Sequence, residues 1–168
     1  MRSITATLVL AACLSTPLAP ARADETRELG AHVHGHATLS LAVEGEGVSM
    51  ELAIPAESVV GFEYAPETDE DRAAVEAATA ALSDPAALFT LPDGCTIGSA
   101  SVEHEVEGDH AEFHAEYAVT CTGAFETVET SLFERFPDLA EIEVEYATPA
   151  GQGAGGLEPG APSLSLGG

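Results

Sequence analysis

The chain has no lysine and no tryptophan, and its basic residues are 5 arginines against 29 aspartates and glutamates, a formal net charge of −24. Such a polyanion repels phosphate backbones and anionic lipid, so neither nucleic acid nor an acidic membrane surface is a suitable partner. The counterpart that the charge favours is a cation, although a carboxylate coat also serves simply to keep a protein soluble in salty surroundings. Methionine sulfur is nearly absent: Met50 is the only methionine besides the initiator, which removes the soft ligands a copper(I) site uses. No apolar run approaches the roughly 20 residues that span a bilayer, so no protein membrane span is expected. No HExxH helix, Ser/His/Asp set or phosphate-binding glycine loop is present, and a non-enzymatic role is expected. The enzyme alternative is a zinc hydrolase with Glu112 or Glu116 as general base beside a metal-bound water.

The opening stretch MRSITATLVLAACLSTPLAPARA has a basic start at Arg2, a short apolar segment from Ile4 to Leu14 and a small-x-small site at Ala21-Arg22-Ala23. This is the pattern of a secretory signal peptide over 1–23, leaving a single metal-binding domain over 24–168 with a Gly/Pro-rich tail from 151. Leu10-Ala11-Ala12-Cys13 offers a second reading, a lipoprotein site acylated at Cys13, which the later small-residue site and its polar sequel disfavour. The expected fate is therefore secretion in soluble form. Cleavage leaves two cysteines, Cys95 and Cys121, and an even pair in an oxidising compartment points to a disulfide rather than to a thiolate metal site.

Periodicity supplies the elements. From Ala31 to Glu44, Val33, Ala37, Leu39, Leu41 and Val43 share one parity, and His32, His34, His36, Thr38 and Ser40 share the other. That is a half-buried strand. Across the turn at Glu44–Gly47 a second alternating run places Val43 opposite Val48, Leu41 opposite Met50 and Leu39 opposite Leu52. Thr68 followed by three acids predicts a capped helix over about 68–82, stopped by Asp84-Pro85. Gly108-Asp109 predicts a second hairpin with Glu107 opposite His110, Glu105 opposite Glu112, Glu103 opposite His114 and Ser101 opposite Glu116. The same register sets Cys121 opposite Thr96, beside Cys95. Val128–Phe133 and Ile142–Tyr146 read as further strands, with a last short one near Leu164–Leu166. The fold class is α+β, mainly antiparallel sheet built from hairpins, with one substantial helix and a Cys95–Cys121 disulfide.

Side chains two apart on a strand project to the same side, about 6.6 Å from one another, within reach of a shared ion. His32, His34 and His36 form one row; His110, Glu112, His114 and Glu116 form another. Zinc takes imidazole nitrogen and carboxylate oxygen at about 2.0–2.2 Å, so two adjacent rows can supply a tetrahedral shell. A solvated polar face is the plain alternative for each row taken singly. His104 has the parity of Val102, Val106 and Phe113 and reads as a satisfied, partly buried histidine. The acids at 103, 105, 107, 109, 112 and 116 read as a solvated face that also concentrates cations and orients imidazole N–H groups. Proton competition predicts zinc affinity that falls toward mildly acid pH.

Four blocks, AHVHGHATLSLAVEGEGVSMELAIPAESVVGFEYAP, FHAEYAVTC, LFERFP and PAGQGAGGL, resemble in that order the ZrgA-like periplasmic proteins associated with zinc uptake in Gram-negative bacteria. The resemblance implies periplasmic zinc binding in support of an importer, with zinc ion and a zinc ABC importer component as expected partners. It carries His32, His34 and His36 from the first block, and His114 with Glu116 from the second. The long histidine-rich insert common between the family's two cysteines is here reduced to residues 104–110, and Tyr64 stands where a histidine is often found. Both departures imply one or two structured sites rather than a high-capacity buffer. A structural envelope protein that binds other proteins through its sheet is the remaining alternative.

Overall fold

A computed structural model describes residues 35–167; the expected signal peptide, Cys13, His32 and His34 lie outside the described residues. In chain order the elements are β1 (His36–Glu44), β2 (Gly47–Pro55), α1 (Ala56–Val60), α2 (Asp69–Leu82), α3 (Pro85–Leu88), β3 (Cys95–Glu107), β4 (His110–Cys121), β5 (Thr127–Glu129), α4 (Leu132–Arg135), β6 (Glu141–Thr148), β7 (Gly151–Leu157) and β8 (Ser163–Ser165). The fold is α+β, mainly antiparallel, with α2 as the one long helix among the described residues.

Alternation drives both hairpins. β1 and β2 pair with Leu39 opposite Leu52, Leu41 opposite Met50 and Val43 opposite Val48, as the patterning requires. β3 and β4 pair in the register set by Gly108, whose φ of +64° suits the turn. That register does not run to the cysteines. An extra residue on β3 between Ile97 and Ser99 shifts the ladder by one, so Cys95, rather than Thr96, faces Cys121. Gly98 is the inserted residue, a bulge that brings the cysteines opposite with a Cα–Cα separation of 4.0 Å and joins them in a disulfide.

Six strands form one sheet in the order β3-β4-β2-β1-β6-β7, and β5 with β8 makes a separate two-stranded ladder. All pairs are antiparallel except β1 with β6. One face of the large sheet carries Leu39, Leu41, Met50, Leu52, Ile54, Phe113, Tyr117, Ile142 and Val144, all buried. Leu82, Leu88, Phe89, Val128, Leu132 and Leu139 join them in one apolar cluster. Each such side chain contributes about 1.5–3 kcal/mol on burial. Tyr117 donates its hydroxyl to the Leu82 carbonyl at 2.8 Å and meets Phe89 edge-on, which ties the end of α2 to the sheet. Burial pushes the Tyr117 phenol upward.

The start of α2 is a capping box: Thr68 Oγ1 accepts from the Asp71 N–H, and Asp71 accepts from the Thr68 N–H. Those backbone donors hold the Asp71 carboxyl below its ordinary range. The strand expected over Val128–Phe133 is cut short. Thr130 turns its hydroxyl inward, donating to the Leu88 carbonyl and accepting the Leu132 N–H, and the chain enters α4. The Gly/Pro-rich tail contains a full strand, β7, that extends the main sheet. Its glycines have a packing reason: a Cβ on Gly153 would meet the Tyr146 ring, and one on Gly155 would meet Leu164.

Candidate metal centre

The opposite face of the sheet carries His36 and the row His110, Glu112, His114 and Glu116. Parity places Thr38 and Ser40 of β1, Ala53 and Glu51 of β2, and His114 and Glu116 of β4 on this side, with Glu103, Glu143 and Glu145 from the flanking strands. β1 and β4 are both antiparallel to β2, so they run parallel to each other, and His36, His110 and Glu112 all lie at one end of the sheet. Loop 61–66 lies at this end too, because it follows α1 at the close of β2 and places Glu63 against His110.

Each described imidazole on this face has a carboxylate neighbour. His36 Nδ1 is 3.3 Å from Glu141 Oε2, its direct partner on β6. His110 Nδ1 is 3.7 Å from Glu63 Oε2 in loop 61–66. His114 Nε2 is 2.9 Å from Glu112 Oε2 on its own strand and 3.7 Å from Glu105 Oε2 across the hairpin. These side chains remain open to solvent: His36, His110 and His114 expose 45%, 63% and 42% of theirs. Two nitrogen and oxygen ligands of a tetrahedral zinc ion, each about 2.0–2.1 Å from the metal, lie about 3.3 Å apart. The observed pairs span that distance, and a small rotation of either side chain suits them to share a cation.

The strands that carry His36 and His114 do not adjoin. β2 separates β1 from β4, so Thr38, Ala53 and His114 lie along one cross-sheet line. Two residues nearer the end, Pro55 stands between the levels of His36 and Glu112, about 10 Å apart at Cα over two strand spacings. Strand order across non-local pairs has no signature in local periodicity, which explains the discrepancy. Gly35 sets the start of β1 among the described residues. Its φ is +82°, its N–H donates to Ser58 Oγ and its carbonyl accepts from Ala140 and Glu141, and β1 follows from His36. A side chain at Gly35 would also press on the Asp138 carbonyl at 3.1 Å and on Ala140.

Among the described residues no group of three or more His, Cys, Asp or Glu side chains forms a ready-made metal cluster. His36 and His114 are brought to one face but kept on separate strands, and Glu116 lies one step further along β4, opposite Glu51 and Ser101. Glu141 and Glu63 escaped the sequence reading as imidazole partners. Glu141 had a signal, since its alternating strand EIEVEY presents acids on one face, but its pairing with β1 is long-range.

His104 faces the other way. Its ring lies 4.7 Å from Phe113 on the core side, as parity requires, but its buried Nε2 has no hydrogen-bond partner, contrary to the expectation of a satisfied group. Desolvation lowers its pKa, so it favours the neutral form. Among the described residues no helix is long and apolar enough to cross a membrane.

No curated protein matches the chain. A family model for ZrgA family zinc uptake proteins matches residues 31–166, from the HVHGH block to the last buried leucine of the tail. The match covers both histidine rows, Cys95 and Cys121 and every strand of the sheet, and on that basis the chain belongs to the ZrgA family of zinc uptake proteins.

Proposed function

We propose that the protein is a non-catalytic periplasmic zinc carrier: it is secreted by residues 1–23, captures Zn2+ on the polar face of its sheet and passes the ion toward an importer component. The observation that carries this reading is the pairing of His36, His110 and His114 with glutamates on a face built largely from carboxylates. Imidazole and carboxylate are the ligands of choice for reversible zinc capture, whereas thiolates hold the ion more tightly. The two cysteines of the mature chain are joined to each other and are not available as thiolates.

The proposed ligand set is His32, His34 and His36 with Glu141 at one position, and His110, Glu112, His114 and Glu116 at the other. Glu63 stands 3.7 Å from His110 Nδ1, where it can orient that ring, and Glu105 adds a further carboxylate on the Nε2 side of His114. The surrounding glutamates raise the local concentration of divalent cations and speed their arrival. Exposure of the pairs suits release as well as capture.

The test is a competition titration of the metal-stripped mature protein against a chromophoric zinc chelator, with zinc, copper, nickel and cobalt then offered together and the retained metal identified by mass spectrometry. Zinc retention, lost in a variant carrying alanine at 32, 34, 36 and 114, is the expected result. Equal retention by that variant would remove the imidazoles from the account, and retention of copper alone would redirect it to another metal.

A further inference from the structure

The two edges of the six-stranded sheet are built differently. β3, at one edge, carries a bulge at Gly98 and exposes Glu103, Glu105 and Glu107 at every second position. Both devices discourage another strand from pairing there. β7, at the other edge, has the sequence GQGAGGL and pairs with β6 over 7 consecutive residues without a register shift. It has no charge, no proline and no bulge, and its 7 residues present about 24 Å of regular strand edge. The tail does not close this edge: it passes beneath, where Leu164 packs on Gly155 and β8 pairs with β5.

Inward from that edge the chemistry is specific. On the polar face β7 shows only Gln152, Ala154 and Gly156, and behind the last two stand Glu145 and Glu143 of β6, both exposed. A hollow of about 370 Å3 lies over Ser40, Glu145, Gln152 and Ala154. Among the described residues no cation pairs with Glu143 or Glu145, since Arg72 is held by Asp69 and Arg135 lies over Phe136. A strand added outside β7 would have its Cα atoms about 10 Å from those of β6, with only the small residues of β7 and, over Gly156, the Glu141 carboxylate in between. Lysine and arginine side chains bridge that gap to a glutamate; short or acidic ones do not.

We propose that the β7 edge is a docking site for an extended, basic segment of a partner protein, which pairs with β7 as a seventh strand and sets alternate Lys or Arg side chains over Ala154 and Gly156 onto Glu145 and Glu143. Main-chain hydrogen bonds supply the binding and the alternate cations supply the selectivity. A second copy of this chain is the poorer occupant, because its formal charge of −24 would be brought against an equal charge and its own β7 offers no cation.

The mature protein is titrated with a fluorescent peptide matching the 7 residues of β7 in length, with lysine at alternate positions and valine or threonine between. Binding is read by anisotropy, and the site by backbone amide shifts. Shifts concentrated on residues 151–157 are expected, with affinity reduced about three- to tenfold by Glu143→Gln with Glu145→Gln, comparably by Ala154→Lys, and abolished by N-methylating alternate peptide amides. Equal binding of the N-methylated peptide, or shifts spread over the glutamates of β3 and β4, would overturn the proposal in favour of plain attraction to a polyanion. Concentration-dependent dimerisation through β7 in sedimentation would overturn it in favour of a second copy.

Discussion

The two faces of the six-stranded sheet are made by the same strands at alternate residues, yet they answer to different constraints. On the core face Leu52, Phe113, Ile142 and their neighbours are buried, and the one imidazole there among the described residues, His104, has an orphaned nitrogen and a lowered pKa. On the polar face three imidazoles stay open to water, each against a glutamate. A histidine is thus a small liability to folding on one side and an accessible, carboxylate-flanked imidazole on the other, with a one-residue step in parity deciding which.

The largest effect that separates the faces is a core truncation. Phe113→Ala is expected to cost about 3–5 kcal/mol in denaturant unfolding, while the folded fraction keeps its zinc affinity, because Phe113 points away from the histidine rows. Replacing Cys95 and Cys121 together by serine follows, at about 3 kcal/mol in the chain-entropy account for a sequence separation of 26 residues, again with zinc affinity retained. On the polar face the balance reverses. Removing the imidazoles of His36 and His114, or converting Glu141 and Glu112 to glutamine, should weaken zinc binding about ten- to hundredfold in chelator competition and leave the unfolding midpoint nearly unchanged.

The smallest effect sharpens the comparison most. His104 has a folded pKa below its unfolded value of about 6.5, so below that pH the unfolded chain binds a proton that the folded chain refuses. Its contribution therefore leaves stability untouched above about pH 6.5 and erodes it as pH falls through and below that value. His104→Phe, which removes the orphaned nitrogen and keeps an aromatic ring on Phe113, should gain up to about 1 kcal/mol and flatten the loss between about pH 6.5 and 5 in pH-dependent melts. Zinc affinity of the wild-type protein should fall over the same range, and His104→Phe should not alter that fall, because the proton competition belongs to the other face.

Local rules carried far in this chain. Both hairpin registers, the capping box at Thr68 and the core-ward parity of His104 follow from alternation, turn glycines and cap chemistry, all of which act within a few residues. What escaped is what depends on distant partners or on one backbone torsion. The insertion of β2 between the histidine strands and the parallel pairing of β1 with Glu141–Thr148 are long-range choices. The bulge at Gly98 and the positive φ at Gly35 each rest on a glycine whose role only its neighbours reveal. β7 was hidden because its glycines read as loop, when in fact they make room for Tyr146 and Leu164.

The central claim is that zinc is held by imidazole–carboxylate pairs on the polar face. Side-chain nitrogen resonances of the six histidines, followed by NMR as zinc is added to the mature protein at neutral pH, test it most directly. The account predicts that His36 and His114 move at the first additions of metal while His104 stays in place. Movement of His104 with His36 and His114 unchanged would contradict it.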